Sequence, residues 1–215
     1  MDGRGKQSKG KNFERKIAKK FSLHYKTNVS RTAYSGATRG IETQYNHSNE
    51  TGNVGFVGDL FFPADHPMSI FNYELKNHDS VKFTQFFNSN GEIPSFMEQV
   101  TTDSSRLGGV GHTVPCLIIH VKRENDYALF PFKASVYQVL AKDHDNVLAT
   151  MISYTQERTE EINRYNMIVT TLDNFMELDP DFMYQQYKDF NWDSLNKHEV
   201  KHKKVDLNKL IDEVN

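Results

Sequence analysis

The stretch GDLFFPADHPMSIFNYELKN, residues 58–77, decides the fold, because it predicts two neighbouring strands that carry two acids and a lysine. In its second half, FNYELK, apolar residues alternate with Asn72, Glu74 and Lys76. Side chains of a strand point alternately to its two faces, so Glu74 and Lys76 are expected to project from the same face. The first half, GDLFF, predicts a second strand that carries Asp59 close to its start.

The turn between the two strands decides whether Asp59 can meet Glu74. A loop symmetric about Asp65 would leave the two carboxylates about 10 Å apart along the strand, too far to share a small ion. A lopsided loop over residues 63–70 would instead place Asp59 directly opposite Glu74, with Cβ atoms about 5 Å apart. Two prolines in this turn resist continuation of a strand ladder, so the sequence favours the longer loop and an antiparallel hairpin.

Two carboxylates this close repel each other, so a positive group has to lie beside them. Lys76 alone is one candidate, and a hard divalent cation, which prefers carboxylate oxygens, is the other. Such a cation could polarise a phosphate and lower the pKa of a bound water, while the lysine orients that water. The alternative is a solvated sheet face with an ordinary Glu74–Lys76 pair, which is what an isolated E-x-K pattern would indicate.

The composition predicts an ordered protein with a basic front end. The chain has 215 residues, of which 37% are hydrophobic and 12% aromatic, and this suits one domain, or one domain with an extension. Residues 1–40 hold 11 Lys/Arg and two acids although the whole chain carries −2, which indicates either contact with a polyanion at one face or a solvated tail without a partner. The absence of a long apolar segment or a secretory signal predicts a cytoplasmic protein without membrane contact.

Helical and strand patterns alternate over residues 12–133 and predict an α/β fold with helices covering one sheet. Asn12 is a good N-cap for an amphipathic helix over 12–25, and residues 93–108 predict a second helix. The predicted strands lie at residues 26–33, 56–62, 70–76, 114–122 and 127–132.

The two ends of the chain are predicted to lie outside this core. Residues 1–11 are rich in Gly and Lys and predict a mobile basic arm. Residues 134–215 predict a helical C-terminal extension that packs on the core and is not a second catalytic domain. Its predicted elements are helices over 135–143 and 155–166, a strand over 166–172 and a basic amphipathic helix over 197–215.

Asp59 followed by Glu74-Leu75-Lys76 resembles the catalytic signature of the PD-(D/E)XK nucleases, although Gly58 stands where that signature usually has proline. The surroundings resemble archaeal Hjc-type Holliday junction resolvases. The segment GKNFERKIAKKF resembles their first helix, and AYSGA resembles the loop after it. The segments FMEQV and GGVGHTVPCLIIHVK resemble their later helix and strand. The similarity covers about residues 10–132, and RecU-type resolvases share the same core. It implies a restriction-endonuclease-like core, with a mixed central β-sheet flanked by helices.

The resemblance also implies a role for each matching residue. Lys76 would position or deprotonate the attacking water, and Ser35 would contact the scissile strand. The implied metal ligands are Asp59, Glu74, the carbonyl of Leu75 and, through water, Glu14. Together with the basic front end, the resemblance predicts DNA contacts by Arg15, Lys16, Lys19, Arg31 and Arg39. Gln99 is a candidate for support of the site from the second helix.

The function implied is that of a metal-dependent, structure-selective DNA endonuclease, a Holliday junction resolvase of DNA recombination and repair. The expected cofactor is Mg²⁺, with Mn²⁺ as a substitute. The expected partners are branched DNA and a second copy of the chain, since such enzymes cut two strands symmetrically. The protein would be nucleoid-associated or phage-encoded in a bacterial host. Two alternatives stay open: a restriction-type or phage DNA-processing endonuclease on duplex DNA, and a DNA-binding module with the nuclease fold.

Overall fold

A mixed β-sheet with helices packed against it forms the centre of the protein. The computed structural model describes residues 3–32, 58–106, 114–156, 161–192 and 197–198. The helices are α1 (Gly3–Tyr25), α2 (Gln85–Asn88), α3 (Ile93–Arg106), α4 (Ala134–Asp143), α5 (Leu172–Glu177) and α6 (Pro180–Tyr187), with a short 3₁₀ helix at Pro67–Ile70. The strands are β1 (Ser30–Arg31), β2 (Leu60–Phe61), β3 (Phe71–Asn77), β4 (Val114–His120), β5 (Asp126–Pro131), β6 (Val147–Thr155), β7 (Ile162–Thr171) and β8 (Lys197–His198).

The strand order of the central sheet is β3-β4-β5-β7-β6, and β8 pairs with β7. Strands β3 and β4 run parallel, from Phe71 opposite Val114 to Asn77 opposite His120, and the other neighbours in this sheet are antiparallel. A parallel pair needs a crossover connection, and α3 lies in the segment that joins β3 to β4. The predicted fold class, a restriction-endonuclease-like mixed sheet flanked by helices, is confirmed.

The two faces of β3 pack against two different helices. Phe21 of α1 lies against Tyr73, with ring centroids 5.5 Å apart, and both side chains are fully buried. On the other face, the amide of Asn72 donates a hydrogen bond to the Ser104 hydroxyl of α3 at 2.9 Å. The alternation predicted for FNYELK is therefore confirmed. Tyr73 faces α1, and the polar residues of this stretch face α3.

The first helix begins earlier than the sequence indicates. Asn12 was expected to cap it, but α1 runs from Gly3 and Asn12 lies inside the helix, so that prediction is wrong. Residues 3–11 contain no proline to stop the helix, and Lys9 forms an ion pair with Asp79 at 2.5 Å. The mobility of residues 1–11 without DNA stays a prediction.

The segment after residue 134 adds strands to the central sheet as well as helices. The helix predicted over 155–166 is wrong for its described residues, because Thr155 ends β6 and residues 162–166 begin β7, whereas 157–160 lie outside the described residues. The first half of β7 hydrogen-bonds to β6 and β8, and this pairing outweighs the charged, helix-favouring composition of the segment. The strand predicted over 166–172 is confirmed as the second half of β7. The division at residue 133 stays a prediction. Of the helix predicted over 197–215, Lys197 and His198 instead form β8, and the other residues lie outside the described part of the chain.

The outer edge of the sheet is covered locally by a side chain. Strand β6 ends the sheet, and the Ser89 hydroxyl, just after α2, donates to the Met151 carbonyl at 2.9 Å. The same hydroxyl accepts a hydrogen bond from the backbone N–H of Ser153 at 3.2 Å. Ser89 thus satisfies two backbone groups that would otherwise face outwards. In the part of the chain described here, no helix is long and apolar enough to cross a bilayer.

Candidate active site

The polar face of β3 and helix α3 together hold a three-residue hydrogen-bonded cluster. The Lys76 ammonium donates to Glu74 Oε1 at 2.6 Å and to Gln99 Oε1 at 2.8 Å. The amide nitrogen of Gln99 donates to the same Glu74 oxygen at 2.8 Å. The ammonium also lies 5.2 Å from the centre of the Phe96 ring. Gln99 therefore fixes both the carboxylate and the lysine, as support from the second helix would require.

Asp59 lies beside this cluster and is bound to β3 by two hydrogen bonds. Its backbone N–H donates to the Tyr73 carbonyl at 2.6 Å, and its Oδ2 accepts the Leu75 N–H at 2.8 Å. The antiparallel hairpin predicted for β2 and β3 is wrong, because β2 pairs with β1 and β3 pairs with β4. The 3₁₀ helix at Pro67–Ile70 and the brevity of β2 prevent a ladder. Single hydrogen bonds to β3 still bring Asp59 beside Glu74.

Burial and mutual repulsion change the acidity of the two carboxylates. Asp59 is 8% exposed and Glu74 is 5% exposed. Burial, and next the charge of Glu74, raise the pKa of Asp59 to about 8, against the lowering effect of the Leu75 N–H. Burial also raises the pKa of Glu74, while the Lys76 charge and hydrogen bond oppose that rise. Desolvation thus dominates over the single lysine, and the pair lacks positive charge.

Glu14 approaches this pair from helix α1. Its carboxylate forms a hydrogen-bonded ion pair with the Arg31 guanidinium of β1, and both side chains are largely buried. The negative charge of Glu14 acts on both Asp59 and Glu74 and raises the pKa of each. Glu14 therefore lies near the site, while Arg31, which was predicted to contact DNA, holds Glu14 in place.

The donor atoms of the site suit a hard divalent cation. Asp59 and Glu74 each accept their hydrogen bonds from the described residues on one carboxylate oxygen, which leaves Asp59 Oδ1 and Glu74 Oε2 for a ligand. Within the described ranges, no three His, Cys, Asp or Glu residues are grouped to hold a metal. Two carboxylates with a backbone carbonyl fit an ion such as Mg²⁺, which keeps several waters.

The cations predicted to bind DNA have different surroundings. Arg15 and Lys19 are exposed on α1, and Arg15 donates a hydrogen bond to Asn12 at 3.3 Å. Lys16 is also exposed, but its ammonium contacts Asp126 at 2.9 Å. Ser35 and Arg39 lie outside the described residues. The DNA contacts predicted for these residues stay predictions.

Two features of the site were missed by the sequence reasoning. One is the Glu14–Arg31 pair, which joins α1 to β1 and left no local signal because 17 residues separate its members. The other is Asp103, whose charge raises the pKa of Glu74. Asp103 follows Gln99 by four residues, and residues at that spacing share a helix face, so this one could have been found.

Gly58 is expected to be essential to the position of Asp59. Its φ is +87°, and a Cβ added there would lie 2.3 Å from Asn72 Oδ1 and 2.7 Å from the Tyr73 carbonyl oxygen. Gly58→Ala should therefore lower the free energy of unfolding by on the order of 1–3 kcal/mol, and it should move Asp59 away from β3. Urea unfolding and a divalent-cation binding titration would measure the two effects.

Gly10→Ala is the matched control, because a Cβ at Gly10, inside α1, meets no atom within 4 Å. Alanine is favoured over glycine in a helix, so this change should stabilise the protein by roughly 0.5–1 kcal/mol. Equal effects of the two substitutions would contradict the assigned role of Gly58.

A comparison with protein-family models places the whole site inside one match. Residues 5–185 match the family described as "Phage putative PDDEXK endonuclease". The match includes Glu14, Asp59, Glu74, Lys76 and Gln99, and it continues across the predicted boundary at residue 133. No curated protein and no solved structure showed a significant match to the chain.

Proposed function

The chain belongs to the phage PDDEXK endonuclease family, and on that premise we propose that it hydrolyses phosphodiester bonds of DNA at the site formed by Asp59, Glu74 and Lys76. Nucleases of this kind generally use divalent metal ions, and Mg²⁺ is the ion proposed here. The proposal makes Asp59, Glu74 and the Leu75 carbonyl its ligands. Mn²⁺ would substitute for Mg²⁺, since both accept oxygen donors.

One observation carries this proposal: two buried carboxylates lie side by side with a single lysine bonded to only one of them. Burying an uncompensated carboxylate is costly, and two of them repel each other. A bound cation would remove this cost. A pair that costs the fold stability is expected where function requires it.

Each residue of the candidate site would have its own role in the proposed hydrolysis. A divalent cation bound here supplies charge to polarise the phosphate and to acidify a water molecule. Lys76 is held between Glu74 and Gln99, so its remaining proton can point at an attacking water and orient it. Gln99 acts as a positioning residue, because it sets the direction of the ammonium. Glu14 would hold a further water at the edge of the site.

A second proposal concerns the form of DNA that the protein cuts. Residues 10–132 resemble Holliday junction resolvases, and Glu14 lies beside the site, as that resemblance requires. We therefore propose branched DNA as the preferred substrate and a homodimer as the active form. The family description favours the second candidate, a phage DNA-processing endonuclease on ordinary duplex. A binding module without activity has no use for the buried acidic pair.

A cleavage assay separates these candidates. Labelled four-way junction, flap and linear duplex of equal length would each be incubated with the protein in Mg²⁺, Mn²⁺ or EDTA. We expect cleavage in either metal, none in EDTA, and the fastest cleavage on the junction. Equal rates on the three DNAs would replace the resolvase with a duplex endonuclease. Binding without cleavage in any metal would contradict the enzymatic proposal.

A further inference from the structure

Helix α1 carries six of its cations in two rows, and the two rows have different surroundings. The inner row consists of Lys9, Lys16 and Lys20, and the outer row consists of Lys11, Arg15 and Lys19. Both rows hold three positive charges on the same helix. Any difference in how strongly the two rows bind a negatively charged partner therefore comes from the groups that each row faces.

The inner row faces acids of the protein body. Its three ammonium groups form the ion pairs Lys9–Asp79 at 2.5 Å, Lys16–Asp126 at 2.9 Å and Lys20–Asp173 at 2.5 Å. Each aspartate belongs to a different part of the chain, so the pairs attach one flank of α1 to the body. The positive charge of this row is largely cancelled, and a phosphate placed there would also meet three carboxylates.

The outer row faces solvent. Its residues follow one another at intervals of four, so they lie along one line of the helix that spans about 12 Å. All three side chains are exposed, and none forms an ion pair with an acid of the described residues. The positive charge of this row is therefore available to a partner.

The outer row also lies on the side of the helix that leads to the candidate active site. At 3.6 residues per turn, Lys11 and Arg15 follow Glu14 around the helix within about 100°. In the opposite direction from Glu14, the buried Ile17 and Phe13 come first, and the inner row lies beyond them. A DNA strand on the outer row would thus pass beside Glu14.

We propose that the outer row, Lys11, Arg15 and Lys19, is the surface on which α1 binds the DNA backbone, and that the inner row only fixes the helix to the body. This inference rests on the proposed function, because it assumes that DNA is the substrate. It adds Lys11 to the predicted DNA contacts and removes Lys16 from them.

The test compares two triple variants that remove the same charge from the same helix. The outer variant is Lys11→Gln, Arg15→Gln, Lys19→Gln, and the inner variant is Lys9→Gln, Lys16→Gln, Lys20→Gln. Affinity for a labelled linear duplex and for a four-way junction would be measured in EDTA, where no cleavage is expected, at several salt concentrations. Thermal unfolding of each variant checks that the fold is intact.

The expected result is a difference in salt dependence. Each neutralised phosphate contributes about 0.9 to the slope of log affinity against log salt, so the outer variant should lose about 2.7 from that slope. The inner variant should keep the wild-type slope, even if its melting temperature falls. Equal losses in the two variants, or no loss in the outer one, would overturn the inference. Wild-type protein that binds neither DNA would instead overturn the proposed function.

Discussion

Replacing Asp59 by Asn, or Lys76 by Ala, is expected to lower the rate of metal-dependent DNA cleavage by about 10³-fold or more. Asp59 offers one of the two carboxylates proposed to hold the cation, and Lys76 is the only ammonium bonded to that pair in the described residues. Affinity for DNA in EDTA should stay close to wild type, because phosphate contacts elsewhere supply most of it. Single-turnover cleavage of labelled DNA and a separate binding titration would measure both.

Two exposed residues outside the site provide controls of the same chemical kind. Asp65→Asn removes a carboxylate from the turn after β2, and Lys82→Ala removes an ammonium from the segment after β3. Both control variants should cleave DNA at the wild-type rate. If Asp59→Asn and Lys76→Ala also cleaved at that rate, the site would have been assigned to the wrong residues.

The second large effect concerns stability, and it needs no substrate. In the folded, metal-free protein the pKa of Asp59 is about 8, whereas an aspartate in an unfolded chain titrates near 4. Between these values the folded state keeps a proton that the unfolded state has lost. The free energy of unfolding should therefore fall as pH rises from about 4 to about 8, by up to about 1.4 kcal/mol per pH unit from this group.

Asp59→Asn removes this dependence and keeps an oxygen that can accept the Leu75 N–H. The variant should be more stable than the wild type in EDTA, and its advantage should grow with pH up to about 8 and then level off. Urea unfolding at a series of pH values would measure the difference, in which the effects of groups that do not interact with Asp59 cancel. A divalent cation should restore much of the wild-type stability and little of the variant's. Parallel pH curves for the two proteins would show that Asp59 is not strained in the fold.

The sequence predicted those parts of the fold that depend on local pattern. The alternation in FNYELK predicted β3 with its two faces, and residues 93–108 predicted α3, because the signal for each lies within a few adjacent residues. The first half of strand β7 was missed because its stability comes from ladders to β6 and β8, which the composition of the segment itself does not reveal. The early start of α1 was missed because asparagine is a favoured N-cap residue, although Asn12 lies inside the helix in this protein.

The site was predictable where spacing along one strand or helix decides it. Glu74 and Lys76 share a face of β3 in any register, so their contact followed from the sequence. The approach of Asp59 was inferred from the wrong geometry: a hairpin was expected, yet two hydrogen bonds to Tyr73 and Leu75 suffice. The hydrogen bonds that Gln99 and Arg31 make to other site residues depend on how the helices pack on the strands. That packing cannot be deduced from local periodicity.

Ser89 has a consequence for how copies of this protein can meet. A strand at the end of a sheet is a template for a strand of another molecule, and such pairing is a common route to aggregation. Here one hydroxyl already occupies the carbonyl of Met151 and the N–H of Ser153, so a foreign strand finds neither group available at that point of β6. The edge of the sheet is blocked at this point by a single small side chain. The two sheets of the proposed homodimer would consequently not join into one across Met151 and Ser153.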